Sequence, residues 1–190
     1  IGTLSAANQL GDSFFNATIA RTAGFSIDNF GDHEDTTNVV FELFMFIGGA
    51  SASTAGGIKI NTFALIVIAT VATVRGRRNL SAFNRDIPQE LARRALVIGG
   101  LATLTVVAFL IALTMVEDRP LSDLQFEIFS AIGTVGVTTG ITPLLGDGGK
   151  IVVATAMFVG RFGPLTLALL MAGRGAPAGY RYATERIRIG

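Results

Sequence analysis

Two short stretches, Thr22-Ala23-Gly24-Phe25 and Thr134-Val135-Gly136-Val137, are where the residue types of this 190-residue chain could do chemistry. Neither holds an acid, a base or a thiol. What each can offer is main-chain carbonyl oxygen, and Gly24 and Gly136 allow dihedrals that turn successive carbonyls to one side, which a side chain would block. Rings of such carbonyls replace the hydration shell of a cation in a selectivity filter. The plain alternative is a pair of glycine turns in outer loops. What favours a filter is the element before each stretch: residues 11–20 and 122–132 read as helices of about 15 Å, half of a bilayer core. Such helices aim their negative ends at an approaching cation.

Other chemistry finds little support. The chain has no cysteine, which excludes disulfides and thiolate metal sites. His33 stands alone in an acidic loop without a second ligand at metal spacing. No Ser–His pair, paired Asp or metal cluster falls within the apolar spans, so an enzyme is not expected and no cofactor is implied. A membrane enzyme or receptor with re-entrant loops remains as a second class, and would need a catalytic pair or a ligand pocket.

The elements that must hold these stretches are membrane elements. Charged residues make up 15% of the chain, against about a quarter in a soluble domain, and three apolar runs are long enough to span lipid. Arg75, Arg77, Arg78, Arg85, Arg93 and Arg94 cluster after the first span, and Arg174, Arg181, Arg186 and Arg188 follow the last. The positive-inside rule then puts segments 75–94 and 174–190 in the cytoplasm. The acidic loops, with Asp28, Asp32, Glu34, Asp35 and Glu42 in one and Glu117, Asp118, Asp123 and Glu127 in the other, face outward. They either gather cations by long-range attraction or simply keep the loops soluble.

The apolar run over 39–74 would measure about 54 Å as one helix, far beyond a core of roughly 30 Å. Its middle, Gly48 to Gly57, is the poorest helix-forming decade in the chain. A helix over 39–47, a loop and a second helix over 58–74 are expected. Backbone outside a helix at membrane depth is tolerated only inside protein or beside a wet cavity. Close packing by small residues is the other reading of the loop. A phosphate-binding loop is excluded, because Lys59 lies between Ile58 and Ile60 where Gly and Ser or Thr are needed. Asp86 and Gln89 have capping-box spacing with Pro88 between them, so an outer helix is expected over 87–116. Ser122, three before Gln125, is the expected cap of the next helix. A last span is expected over 150–172, with Arg161 and Pro164 near its middle and the helix disturbed at Pro164, which cannot donate to the Gly160 carbonyl.

Sliding the chain by 112 residues aligns Phe14 with Phe126, Thr22 with Thr134, Gly24 with Gly136 and Ser26 with Thr138. The same offset aligns Met45-Phe46-Ile47-Gly48 with Met157-Phe158-Val159-Gly160; beyond it the offset falls to 104, matching Thr62 with Thr166. The Gly-rich loop is therefore an eight-residue insertion into one of two equivalent helices. Both copies run the same way, which suits rotation about the membrane normal and argues against inverted repeats. The first copy lacks an outer helix, and two loops make half a ring of carbonyls, so a longer chain is expected.

On Ala20-Arg21-Thr22-Ala23-Gly24-Phe25, the Gly48–Lys59 segment, Gly133-Thr134-Val135-Gly136 and Gly160-Arg161-Phe162-Gly163-Pro164-Leu165-Thr166, the chain resembles the C-terminal half of the Trk/Ktr/HKT superfamily of potassium-uptake proteins, and is most similar to its TrkH-like membrane subunits. The resemblance implies an all-α membrane protein built as channel-like pseudo-fourfold repeats of outer helix, re-entrant pore helix with filter loop, and inner helix. Residues 1–85 would be the third repeat without its outer helix: pore helix 11–20, filter 21–26, interrupted inner helix 39–74 and cytoplasmic loop 75–85. Residues 86–173 would be the fourth, with outer helix 87–116, pore helix 122–132, filter 133–138 and inner helix 150–172. Residues 174–190 would be a cytoplasmic tail.

Potassium would then bind at Thr22, Ala23, Gly24, Phe25, Thr134, Val135, Gly136 and Val137. The family's counterpart of the loop Gly49-Ala50-Ser51-Ala52-Ser53-Thr54-Ala55-Gly56-Gly57 lies under the filter and acts as the gate. Arg161, about eleven residues into its span, is costly there without a partner or a watery wall. It either bonds the loop's free carbonyls and holds the gate shut, or pairs with an acid outside this chain. Lys59 is expected at the inner pore mouth. The implied function is potassium transport across the bacterial inner membrane, with a sodium- or proton-coupled symporter on the same scaffold as the alternative. The implied partners are potassium itself, membrane lipid, a second copy of the full-length chain and a nucleotide-binding regulatory subunit of the TrkA/KtrA kind, with no nucleic acid.

Overall fold

The structure, a computed structural model, describes residues 6–26, 30–50, 55–76, 80–82 and 85–163. Six helices carry the fold: α1 (Ala6–Ile19), α2 (Asp35–Phe46), α3 (Ile60–Val74), α4 (Gln89–Val116), α5 (Leu121–Gly133) and α6 (Asp147–Phe162). α1 starts earlier than expected, because the run from Ala6 to Leu10 consists largely of good helix formers. α2 likewise starts at Asp35, ahead of the apolar run, where an acid complements the helix N-terminus.

α4 is 28 residues long with a mean hydropathy of 2.6 and, among the described residues, is the helix long and apolar enough to cross a membrane. It carries Leu96, Leu104, Ile111 and Met115 exposed along its length, as a lipid-facing span would. Neither expected cap is used. Pro88 and Pro120 occupy the N-cap positions of α4 and α5, without side-chain cap bonds. Asp86 is drawn instead into an unforeseen hairpin, β1 (Leu80–Ala82) against β2 (Arg85–Ile87), in which it pairs with Ser81.

α5 packs against α6, α4 and α2, and α3 packs against α4. One core cluster joins Leu124, Ile128 and Ile132 of α5 to Val106 and Leu113 of α4 and to Val153 and Ala156 of α6. A second brings together the two halves of the chain through Ile19, Phe30, Phe41, Met45, Phe126, Val135 and Val137. Phe30 sits at its centre, with ring centroids 4.9 Å from Phe41 and 5.2 Å from Phe126.

α6 departs from the expected span. It ends at Phe162, where Gly163 takes φ 79°, so the helix is not continuous over 150–172. Residues 164–190, including Pro164 and the tail, lie outside the described residues.

Candidate functional site

The internal repeat is written into the backbone as well as the sequence. Thr22 and Thr134 are the described non-glycine residues at positive φ, 68° and 54°, and two residues on Gly24 and Gly136 take φ 77° and 85°. A β-branched residue in the left-handed region is strained, and such strain persists only where the surroundings over-determine it. The same strain recurs 112 residues apart. So do the single-turn 3-10 helices Phe30–Asp32 and Thr142–Leu144, and the first residues of α2 and α6, Asp35 and Asp147.

Local hydrogen bonds produce the turn. At the end of α5, Thr134 N–H donates to the Ala131 carbonyl and Val135 N–H reaches back to Ser130, closing the helix through a left-handed residue. The chain then leaves the helix extended. Ser130 Oγ fixes it there, donating to the Val137 carbonyl at 2.5 Å and accepting the Val137 N–H at 3.1 Å.

The two segments meet. A Cβ built on Gly136 would lie 3.3 Å from Gly24 Cα, so the two glycine backbones are in contact although 112 positions separate them in the chain. Val135 and Val137 are buried in the cluster that also holds Ile19 and Ala20, whereas Gly24, Phe25 and Gly136 are exposed. The second segment thus has one side in the core, the first is anchored there by Ile19 and Ala20 just before it, and both leave their glycines uncovered.

The Gly-rich loop lies against one of these segments. Its neck is pinched by Gly48 N–H to Ile58 O, Ile58 N–H to Phe46 O and Ile60 N–H to Gly49 O, at 2.8, 2.9 and 3.2 Å. Gly48 faces the Gly56 carbonyl so closely that a side chain there would collide with it. Gly56 N–H donates to Thr134 Oγ1 at 2.9 Å, across 78 residues. A Cβ on Gly56 would come within 2.5 Å of the Ile132 carbonyl oxygen and 2.8 Å of Thr134 Cγ2. Lys59 Nζ folds back to donate to the Ala55 carbonyl at 2.5 Å. Residues Ser51, Ala52, Ser53 and Thr54 lie outside the described residues.

Arg161 is exposed in the last turn of α6. Sequence placed it in mid-helix; the break at Gly163 puts it at a helix C-terminus instead, where the helix dipole favours a cation and lowers the cost of its charge. Its neighbour Gly160 packs directly on the backbone of Ile132, which brings the end of α6 to the level at which α5 meets the loop. Whether Arg161 reaches the loop's middle falls on residues outside the described set.

Sequence reasoning missed the hydrogen bonds of three carboxylates that hold this region. Glu127, 3% exposed, accepts hydrogen bonds from Thr138 Oγ1 and Thr142 Oγ1. Glu42, equally buried on α2, accepts from Gln125 Nε2 of α5 at 2.5 Å. Glu117 accepts the Gly146 N–H at 2.8 Å, tying the end of α4 to the start of α6. Their spacing carries no local signal: sequence places Glu42 in one acidic outer loop and Glu117 and Glu127 in the other. Among the described residues no group of His, Cys, Asp or Glu could hold a metal ion.

Comparison with known proteins gives one consistent result. Residues 1–175 match the family model TrkH, described as cation transport protein. The chain is 41% identical over 172 residues to the Ktr system potassium uptake protein B of Bacillus subtilis, covering 90% of this chain and 39% of that protein. It is 35% identical over 188 residues to the potassium/sodium uptake protein NtpJ of Enterococcus hirae, covering 96% and 42%. The crystal structure of the potassium transporter TrkH from Vibrio parahaemolyticus superposes with a TM-score of 0.73 over 95% of this chain and 40% of that one, at 21% identity. The chain thus spans about two fifths of the length of these relatives, and the structural match extends its all-α fold to a known membrane transporter.

Proposed function

The chain belongs to the TrkH family of cation transport proteins, and from that premise we propose that it conducts potassium across the cell membrane through a path lined by the carbonyls of Thr22–Phe25 and Thr134–Val137. The observation that carries this reading is the contact of Gly24 with Gly136, each following a left-handed threonine. Two chemically inert segments repeat one strained conformation and meet at their glycines. A core gains nothing from that arrangement, whereas an ion whose water must be replaced by several oxygens at once does.

The Gly49–Gly57 loop is the gate in this reading. Its support is the hydrogen bond from Gly56 to Thr134, which holds the loop against the filter segment. Lys59 closes the loop's near end through Ala55 and belongs to the inner mouth, and Arg161 stands at the same level. Exposed Arg85 of the hairpin and exposed Arg93 at the start of α4, beside Arg94 paired with Glu90, offer cytoplasmic cations suited to acidic lipid headgroups and to a nucleotide-binding regulatory subunit of the TrkA/KtrA kind. A second copy of the full-length chain completes the assembly. No catalytic step is required, and potassium is the substrate, not a cofactor.

The test is rubidium uptake by vesicles carrying the complete protein. Gly136→Ser places a side chain at φ 85° and 3.3 Å from Gly24, and is expected to lower the preference for rubidium over sodium. Unchanged relative permeability would count against the filter. Driving uptake by a potassium diffusion potential alone separates a channel from a sodium- or proton-coupled symporter, which would need the second gradient.

A further inference from the structure

The two filter segments share a backbone but differ in what stands behind them. Behind Thr134–Val137, the Glu127 carboxylate accepts the hydroxyls of Thr138 and Thr142, the latter at 2.9 Å, and Thr138 Oγ1 in turn accepts the Gly140 N–H at 2.9 Å. Behind Thr22–Phe25, the position 112 residues earlier than Glu127 is Phe15, and that of Thr142 is Phe30. There the support is aromatic: Phe15 lies 6.0 Å from Phe25, and Phe30 is buried against Phe41 and Phe126. The counterpart of Ser130, Thr18, bonds its own helix at Phe14 O and so lends the segment no clamp of the Ser130–Val137 kind.

The comparison within one chain is informative. Burying a carboxylate is costly even when its lone pairs are filled. The first repeat shows that this backbone can be supported by phenylalanine without that cost, so the turn alone does not require an acid at position 127. Both partners of Glu127 are hydroxyls, which can donate to an ionised carboxylate. In its ionised form Glu127 adds, over Phe15, a negative charge beside one filter segment, in a setting where charges act over distance.

Resting on the filter reading above, we infer that Glu127 is a positioning residue that sets cation affinity: without touching the ion, it holds residues 138–142 through two threonine hydroxyls and supplies the negative charge that strengthens binding at the Thr134–Val137 carbonyls. The filter is therefore asymmetric, polar and charged behind one segment and aromatic behind the other.

The experiment measures rubidium uptake against rubidium concentration, with and without competing sodium, in vesicles carrying the complete protein. Glu127→Gln keeps the size and removes the charge. A unit charge acting over roughly 10 Å at an effective dielectric near 20 changes a binding constant by about tenfold, so the half-saturating rubidium concentration should rise about tenfold while the maximal rate changes little. Thr142→Val removes one strut and leaves the charge; it should reduce discrimination against sodium, and Thr142→Ser should restore it. A Glu127→Gln protein that matches wild type in half-saturation and in sodium discrimination overturns the inference. Should that variant not fold, the Thr142 pair decides: loss in Val and rescue in Ser supports it, and equal behaviour of the two refutes it. Gly136→Ser in the same assay separates the two readings. If it alters selectivity while Glu127→Gln and Thr142→Val do not, only the role of Glu127 falls; if it too has no effect, the filter itself falls.

Discussion

Replacing Gly56 by alanine tests the proposed gate with a single methyl group. Gly56 is not in the left-handed region, so alanine adds no backbone strain of its own. Its Cβ would instead meet main-chain atoms, the Ile132 oxygen at 2.5 Å and the Gly133 carbonyl carbon at 3.0 Å, together with Thr134 Cγ2 at 2.8 Å. Neither backbone atom can swing aside, so the loop must lift from α5 by some tenths of an ångström, stretching the Gly56 to Thr134 bond from 2.9 Å. Overpacking of this kind costs about 1–3 kcal/mol and a lost hydrogen bond about 0.5–1.5 kcal/mol. Together they disfavour the seated loop by about 1.5–4.5 kcal/mol, a ten- to thousandfold change in its population at about 1.4 kcal/mol per decade. Unstimulated rubidium uptake by the complete protein should therefore rise at least about tenfold, up to the fully open rate. Uptake at or below wild type, in protein that elutes as a single folded species, would refute the idea that this contact holds the path shut.

Two further substitutions probe the scaffold. Gly160→Ala would press a methyl into the backbone of Ile132, with its Cα at 2.7 Å, forcing α5 and α6 apart; a loss of about 1–3 kcal/mol should appear as a lower Tm in detergent. Gly100→Ala on the exposed face of α4, where nothing lies within 4 Å, should leave Tm unchanged or raise it slightly through helix propensity, and a similar fall in both would sink the argument. For Glu42 and Gln125, Gln125→Leu strands the buried Glu42 carboxylate at about 1–3 kcal/mol, and Glu42→Leu leaves the half-buried Gln125 amide without this bond. The double variant should lose less than the sum, with a coupling of about 0.5–3 kcal/mol from thermal unfolding of the four proteins; additive losses would mean the pair contributes nothing as a pair.

Periodicity and repetition determined a good deal from sequence alone. The 112-residue offset found in the letters returns as paired left-handed threonines, paired left-handed glycines and 3-10 turns beginning at Phe30 and Thr142, because a turn is encoded by the few residues that make it. The ends of α4 were legible because the apolar run from Ala95 to Val116 is preceded by Pro88 and followed by Glu117-Asp118. The break in the long apolar run was legible because glycine and small polar residues oppose a helix there.

What lay beyond the sequence is what depends on how helices pack. Asp86 and Ser122 had the spacing of caps, but the prolines before α4 and α5 took those positions, and the hairpin claimed Asp86. Pro164 marks a disturbance in the last span, but that the helix ends at Gly163 and leaves Arg161 in its last turn is a feature of the folded chain. That Gly24 touches Gly136, that Gly56 bonds Thr134 and that Glu127 clamps Thr138 and Thr142 follow from α5 being wedged among α2, α4 and α6. A local pattern fixes which backbone shape a segment prefers; which segments are brought face to face is decided by the burial of surfaces far apart in the chain, and only the folded arrangement contains that.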